Sequence, residues 1–133
     1  MTPTQCLIIA LASKVGAEYK VPELPALVVV ESRAGEELVA KDRPGFGVGH
    51  MNHVTAREVL KKHPRLWPGK HTDEQIVIRL LKDHEWAMRL AAQRVKDTSL
   101  RAYNAGVRGA RLGRGYPYLE KLKQAEAQLK ECE

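Results

Sequence analysis

Residues 24–32 read LPALVVVES, and the fold class depends on whether this segment forms a helix or a strand. The run at 27–30 is mostly β-branched, a composition that favours a strand on local propensity alone. Prolines and an acid at the front of the segment, and the polar residues 31–33 ahead of Gly35, favour a helix. We therefore predict a helix at 24–32 whose valines are buried on several sides.

Capping residues and apolar periodicity predict helices on both sides of this segment. Thr2 and Pro3 are typical of a helix start, Thr55 is expected to cap a short helix, and Thr72 begins a capping box ahead of the longest apolar pattern. A basic, glycine-rich loop is predicted at 108–115. The sequence therefore predicts a mainly α fold with a long central helix, the predicted helices being 3–17, 24–32, 56–62, 73–96, 100–103 and 117–131.

Residues 34–53 contain four glycines around Pro44 and show no sustained apolar periodicity. This composition predicts an irregular loop or a short hairpin. Long loops in compact domains usually carry function. A length of 133 residues suits one core of ordinary size, so we predict a single domain over 1–133.

Composition and charge exclude some classes of protein. The longest apolar runs are far shorter than the roughly 18 residues that a membrane span needs. The first twenty residues lack the basic region and the cleavage site of a secretory signal, so export by a signal of its own is not expected. The net charge of +6 favours association with a polyanion or an anionic surface.

Neither a metal site nor a disulfide framework is predicted. Cys6 and Cys132 lie at opposite ends of the chain without CxxC spacing, so free thiols are expected. A bridge between them would need the two Cα atoms to lie within about 7 Å. His50 and His53 have one-turn spacing, but no third ligand lies near them and no HExxH pattern occurs. We predict no metal and no cofactor.

Glu31 is the strongest candidate for a functional residue. In a helix at 24–32 it follows Leu24, Leu27 and Val28 at i+7, on the stripe that should face the core. Burial there would raise the pKa of the carboxyl group toward the value that a general acid needs. The alternative is that Glu31 lies just beyond the apolar stretch and points to solvent. Asp42, on the following loop, supplies the second carboxylate that glycoside cleavage commonly uses.

Four motifs, in this order along the chain, resemble those of the soluble lytic transglycosylases and the goose-type lysozymes. The resemblance covers about residues 20–122, and the pentad AYNAG is its most specific part. The run ESRAG, with Asp42 and Arg43 ahead of the glycines, looks particularly like the goose-type lysozymes. The four motifs are ES at 31–32, GVGHMN at 47–52 with Thr55 and Ala56 after it, AYNAG at 102–106 and YLEKL at 118–122.

The resemblance implies a lysozyme-like domain in which Glu31 is the catalytic acid and Ser32 helps to shape the site. It implies that Tyr103 contacts the carboxylate and the sugar, and that Tyr118 closes the cleft. Two residues depart from the family pattern: Asn52 stands where the family usually has Gln, and His50 where it usually has an apolar residue. The residues to which the resemblance assigns substrate binding are Gly49, Met51, Asn52, Asn104 and Tyr118.

The resemblance further implies cleavage of peptidoglycan strands between N-acetylmuramic acid and N-acetylglucosamine. A transglycosylase would use Glu31 as acid and then as base and would form 1,6-anhydromuramyl ends. A lysozyme would instead use a water molecule positioned near Asp42, so Asp42 discriminates between the two reactions. A monomeric phage-type lysis enzyme is expected, held in the host cytoplasm until it reaches the cell wall; a virion-associated or conjugation role is the alternative.

Nucleic-acid binding is the competing hypothesis from another class. Arginines and tyrosines cluster late in the chain, as in some nucleic-acid interfaces. No helix-turn-helix, zinc or RNA-binding signature accompanies them, so a nucleic-acid partner is not expected, and the same arginines would suit an anionic cell envelope. The cluster consists of Arg101, Arg108, Arg111, Arg114, Tyr116 and Tyr118.

Overall fold

The computed structural model describes residues 1–133 and contains seven α-helices and no β-strand, so the predicted mainly α fold is confirmed. Short 3-10 turns follow α3 and α7. No helix combines the length and the apolar character needed to cross a bilayer. The helices are α1 (Pro3–Tyr19), α2 (Leu24–Ser32), α3 (His53–Lys62), α4 (Asp73–Lys82), α5 (His84–Asp97), α6 (Leu100–Arg111) and α7 (Tyr116–Leu129).

The valine-rich segment forms α2, as predicted, against the strand propensity of its residues. Nearly every residue of α2 is buried, and Leu24, Leu27 and Val28 are completely inaccessible to solvent. Helices α1, α5 and α7 all pack against α2. Burial on several sides therefore outweighs the small intrinsic penalty of β-branched residues in a helix.

Helix α5 lies at the centre of the molecule and packs against α1, α2, α3, α4 and α6. The predicted long central helix at 73–96 is wrong in one respect, because the chain leaves helical geometry at Asp83 (φ −102°, ψ 86°). The Asp83 carboxylate accepts a hydrogen bond from the backbone N–H of Trp86 at 3.0 Å and so caps α5. Apolar periodicity continues across this break, which explains why the pattern predicted one helix.

Two other helix boundaries differ from the prediction by three residues or more. Helix α3 is capped by Asn52, whose side chain accepts from the N–H of Val54 at 2.8 Å, and not by Thr55. Helix α6 continues to Arg111, so the first part of the predicted loop at 108–115 is helical. The continuation contains a kink at Gly106, whose φ of 77° and ψ of 162° favour glycine.

The loop at 33–52 between α2 and α3 is irregular, as predicted. It is folded back on itself by two isolated antiparallel bridges, Val39 with Phe46 and Phe46 with Met51. Gly47 lies so close to α4 that a Cβ atom would come within 2.1 Å of the Leu80 carbonyl oxygen. Glycine at this position therefore allows the loop to pack against the end of α4.

The prediction of free thiols is wrong, because Cys6 and Cys132 form a disulfide with a Cα–Cα distance of 5.4 Å. Helix α7 packs on α2, and α2 packs on α1, so the two ends of the chain lie side by side. The amino group of Met1 also pairs with Glu131 at 3.1 Å. Sequence spacing contains no signal for a contact made through three packed helices.

We predict that the double variant Cys6→Ala, Cys132→Ala has a free energy of unfolding up to about 5 kcal/mol lower than that of the wild type. The reason is that the bridge spans 126 residues and restricts the unfolded chain. Denaturant unfolding under oxidising conditions measures the difference. Reductant should destabilise the wild type to the same extent and leave the double variant unchanged. Equal stability of the wild type with and without reductant would contradict the bridge.

Candidate active site

Glu31 is the only acidic residue among the buried residues, with a relative exposure of 8%. Its carboxylate has a partner at each oxygen. Arg43 donates from Nη2 to Oε1 at 2.6 Å, and the Tyr118 hydroxyl donates to Oε2 at 3.1 Å. The expectation that Glu31 faces the core therefore agrees with the structure, and the solvent-facing alternative does not.

The end of α2 fixes the position of this carboxylate. Ser32, which is completely buried, donates from its hydroxyl to the Val28 carbonyl at 3.0 Å and accepts from the N–H of Gly35 at 3.0 Å. The side-chain amide of Gln5 donates to the carbonyl of Arg33, where the chain enters a left-handed conformation. These bonds hold the last turn of α2 against α1 and leave the side chain of Glu31 little freedom.

Burial is the main influence on the protonation of Glu31 and raises the pKa of its carboxyl group, although Arg43 and Tyr118 act in the opposite direction. Burial and the nearby Glu31 carboxylate also raise the pKa of Tyr118 far above its ordinary value. Tyr118 therefore keeps its proton and remains a hydrogen-bond donor. A carboxyl group with a raised pKa and a fixed donor is suited to proton transfer.

A cavity of about 210 Å³ lies next to this carboxylate. The motifs GVGHMN and AYNAG, which are some fifty residues apart in the chain, both contribute to its wall. Arg43 lines the cavity, whereas Glu31 does not. Arg43 therefore connects the acid to the cavity wall, and among the lining residues are Arg43, His50, Met51, Asn52, Tyr103 and Asn104.

Tyr103 has a different partner from the expected one. Its hydroxyl donates to the carbonyl of Gly49 at 2.7 Å, and Tyr118 rather than Tyr103 donates to Glu31. A Cβ atom at Gly49 would lie 2.7 Å from the Tyr103 hydroxyl oxygen, so a side chain there would disturb the contact. The contact joins α6 to the glycine-rich loop and closes one side of the cavity.

Asp42 lies at the surface, with its side chain 79% exposed. It pairs with Nη1 of Arg43 at 3.3 Å, while Nη2 of the same guanidinium pairs with Glu31. Arg43 is thus placed between the two carboxylates that the sequence singled out. No direct hydrogen bond joins Asp42 to Glu31.

Of the predicted substrate-binding residues, Met51, Asn52 and Asn104 line the cavity, whereas Gly49 and Tyr118 do not. Met51 is almost completely buried and packs into the core as well as lining the cavity. Asn52 uses its side-chain oxygen to cap α3, and Asn104 is exposed at the cavity wall. Asn104 makes no side-chain hydrogen bond within the protein, so its side chain does not brace the turn of the pentad.

Sequence reasoning missed the role of Arg43, which contacts the acid directly. A signal was available, because a buried carboxylate needs a cation or several donors, and Arg43 stands in the loop that follows. The sequence marks His50 as half of an incomplete metal-ligand pair and as a departure from the family pattern, but does not predict its contact within the loop. His50 has a positive φ of 47°, and its Nε2 pairs with the Glu37 carbonyl, which ties the two halves of the loop together.

No family model matches the sequence, and neither a curated protein nor a solved structure matches it. The chemistry of the chain is therefore inferred from its own residues. The site consists of the buried acid Glu31, the half-exposed Arg43 side chain that pairs with it, and the adjacent cavity that Arg43 lines.

We predict that the stability of the protein depends on the protonation of Glu31. Burial raises its pKa above the ordinary 4.5, so the folded protein binds a proton more tightly than the unfolded chain. This stabilisation is complete below pH 4.5 and is lost as the pH rises through the folded-state pKa. Relative to Glu31→Gln, the wild type should lose up to about 1.4 kcal/mol per pH unit across that interval. Denaturant unfolding at a series of pH values measures this.

Two further variants control the experiment. Arg43→Gln removes the cation that opposes the effect of burial, so it should extend the loss of stability to higher pH. Glu36→Gln removes an exposed carboxylate from the segment after α2 and should lack the slope. A wild type whose stability relative to Glu31→Gln rises over the interval would contradict the raised pKa.

Proposed function

We propose that the protein is a lytic transglycosylase with a lysozyme-like fold, which cleaves the β-1,4 bond between N-acetylmuramic acid and N-acetylglucosamine in peptidoglycan. The observation that carries the proposal is the buried Glu31 carboxyl group, with a raised pKa, beside a cavity lined by the GVGHMN and AYNAG segments. The basic net charge suits an acidic cell wall. The proposed setting is host lysis by a phage-type enzyme.

In the proposed reaction Glu31 acts first as an acid and then as a base. The protonated carboxyl group donates its proton to the glycosidic oxygen, and the bond from that oxygen to C1 of the muramyl sugar breaks. The muramyl C6 hydroxyl oxygen then bonds to C1, and its proton returns to Glu31. The product is a 1,6-anhydro sugar, no water is consumed, and the acid is regenerated.

Arg43 must leave Glu31 before this reaction begins. In the free protein its guanidinium donates a hydrogen bond to Oε1 of Glu31, and an ionised carboxylate held in an ion pair has no proton to donate. The Arg43 side chain is 46% exposed and belongs to a surface loop, so a saccharide that enters the cavity can displace it. Tyr118 keeps its hydrogen bond to Oε2 and maintains the orientation of the acid.

Hydrolysis by a goose-type lysozyme mechanism is the second candidate, favoured by the position of Asp42 and Glu31 on either side of one guanidinium. An inverting hydrolase needs its second carboxylate fixed roughly 6.5–9.5 Å from the acid, with room for water between them. Asp42 is largely exposed, and its partner is itself an exposed side chain. A carboxylate held so loosely supports the non-hydrolytic reaction better.

We predict that Glu31→Gln lowers the cleavage rate of purified peptidoglycan by about 10²- to 10⁴-fold, because the amide cannot supply a proton. Turbidity loss gives the rate. Mass spectrometry of wild-type digests should show muramyl ends that are one water molecule lighter than the ends that hydrolysis would produce. Glu36→Gln, which removes an exposed acid, is the matched control and should retain activity. Unchanged lysis by Glu31→Gln would show that the reaction occurs elsewhere.

We further predict that Asp42→Asn changes the rate by less than about tenfold and leaves the anhydro product unchanged, since Asp42 acts only through Arg43 in the proposed reaction. The same turbidity and mass measurements apply. A loss of 100-fold or more, together with wild-type products that carry the additional water, would instead support hydrolysis. The amide keeps the size of the side chain, so a packing effect is not expected at this exposed position.

A further inference from the structure

The chain carries no acidic residue between Asp97 and Glu120, and it carries four arginines there. This interval contains α6, the turn after it and the start of α7. The proposed reaction uses the AYNAG pentad and Tyr118 from this interval. The residues between them, 107–116, are called the arginine–leucine turn below.

Three of the four arginines have no partner within the protein. Arg101 is fully engaged: it donates to the carbonyls of Ala110 and Arg114 at 2.7 and 3.0 Å, and it lies 4.0 Å from the ring of Tyr116. Arg108, Arg111 and Arg114 are exposed and form neither an ion pair nor a side-chain hydrogen bond. By contrast, Arg57, Arg89 and Arg94 on other helices each pair with a carboxylate.

Apolar side chains are exposed among these cations. Leu112, at the end of α6, is 64% exposed between Arg111 and Arg114, and Val107 is also exposed. The turn that presents Leu112 is well ordered by hydrogen bonds, including one from the N–H of Arg114 to the Gly109 carbonyl at 2.9 Å. The two hydrogen bonds that Arg101 donates to the carbonyls of Ala110 and Arg114 also stabilise this turn. A leucine is thus displayed on a braced turn with cations around it.

We propose that the arginine–leucine turn is a docking surface for the headgroup region of an anionic phospholipid bilayer. Its cations are complementary to anionic headgroups, and its exposed aliphatic side chains gain free energy where they enter the acyl boundary. A nucleic-acid partner would use the charges but leave Leu112 without an apolar environment. Few stacking residues are offered to nucleic acid, because Tyr118 is buried against Glu31 and Arg101 lies over one face of the exposed Tyr116 ring.

The surface is connected to the candidate active site through α6 and α7. Tyr103, on α6, lines the cavity, and Tyr118, two residues after the arginine–leucine turn, contacts the acid. Docking would therefore hold the cavity close to the membrane surface. The surface is a binding property that does not depend on the proposed reaction, so each can fail without the other.

Co-sedimentation of the full-length protein with lipid vesicles tests the proposal. Binding is expected to vesicles of phosphatidylglycerol and phosphatidylcholine, and to be much weaker with phosphatidylcholine alone. The double variant Arg108→Gln, Arg111→Gln should bind about 30-fold more weakly, since each cation near an anionic surface contributes about fivefold. Leu112→Ser should weaken binding several-fold at low and at high salt, because its contribution is not electrostatic.

The matched control is Lys14→Gln, Lys82→Gln, which removes the same charge at two exposed positions outside any ion pair. It should bind almost as well as the wild type. An equal loss in this control would overturn the proposal in favour of an effect of net charge, and an unchanged affinity of Leu112→Ser would overturn the insertion of the turn. Binding to duplex DNA that responds to the arginine variants, without binding to vesicles, would assign the surface to nucleic acid. Circular dichroism melts confirm that all variants are folded.

Discussion

The buried carboxylate of Glu31 constrains the rest of the structure. A charge removed from water costs several kcal/mol unless donors replace the water, and here the donors come from two distant parts of the chain. Arg43 reaches Glu31 from the loop after α2, and Tyr118 reaches it from α7. The loop and α7 must therefore both pack against the end of α2. The disulfide between Cys6 of α1 and Cys132, just beyond α7, joins two of the helices that pack against α2.

The surroundings of Glu31 combine stability with the group that is proposed to react. Helix α2 is buried along nearly its whole length, and aliphatic packing against α1, α5 and α7 offsets the unfavourable placement of a single carboxyl group. Locally unfavourable positions of this kind are concentrated at functional sites. Ser32 and Gln5 make the side-chain hydrogen bonds at the end of α2. The helix end is therefore held without any contribution from the side chain of Glu31.

Much of the helical content could be predicted because its signals are local. The capping boxes at Thr2 and Thr72, and the helical phase that turns Glu31 inward, each depend on residues within two turns. The break at Asp83 escaped prediction because one non-helical residue leaves the apolar pattern almost in register. The contact of Arg43 with Glu31 and the Cys6–Cys132 bridge depend on the packing of several elements. Sequence spacing does not encode such contacts.

Arg43 links the occupancy of the cavity to the protonation of the acid. While the guanidinium is bound, it favours the ionised form of Glu31; when it leaves, burial is opposed only by weaker influences, and the carboxyl group takes up a proton more readily. Linkage is reciprocal, so protonation of Glu31 must also weaken its hold on Arg43. In the proposed reaction, a saccharide that draws Arg43 toward solvent thereby raises the proton affinity of Glu31 and converts the ion pair into a proton donor.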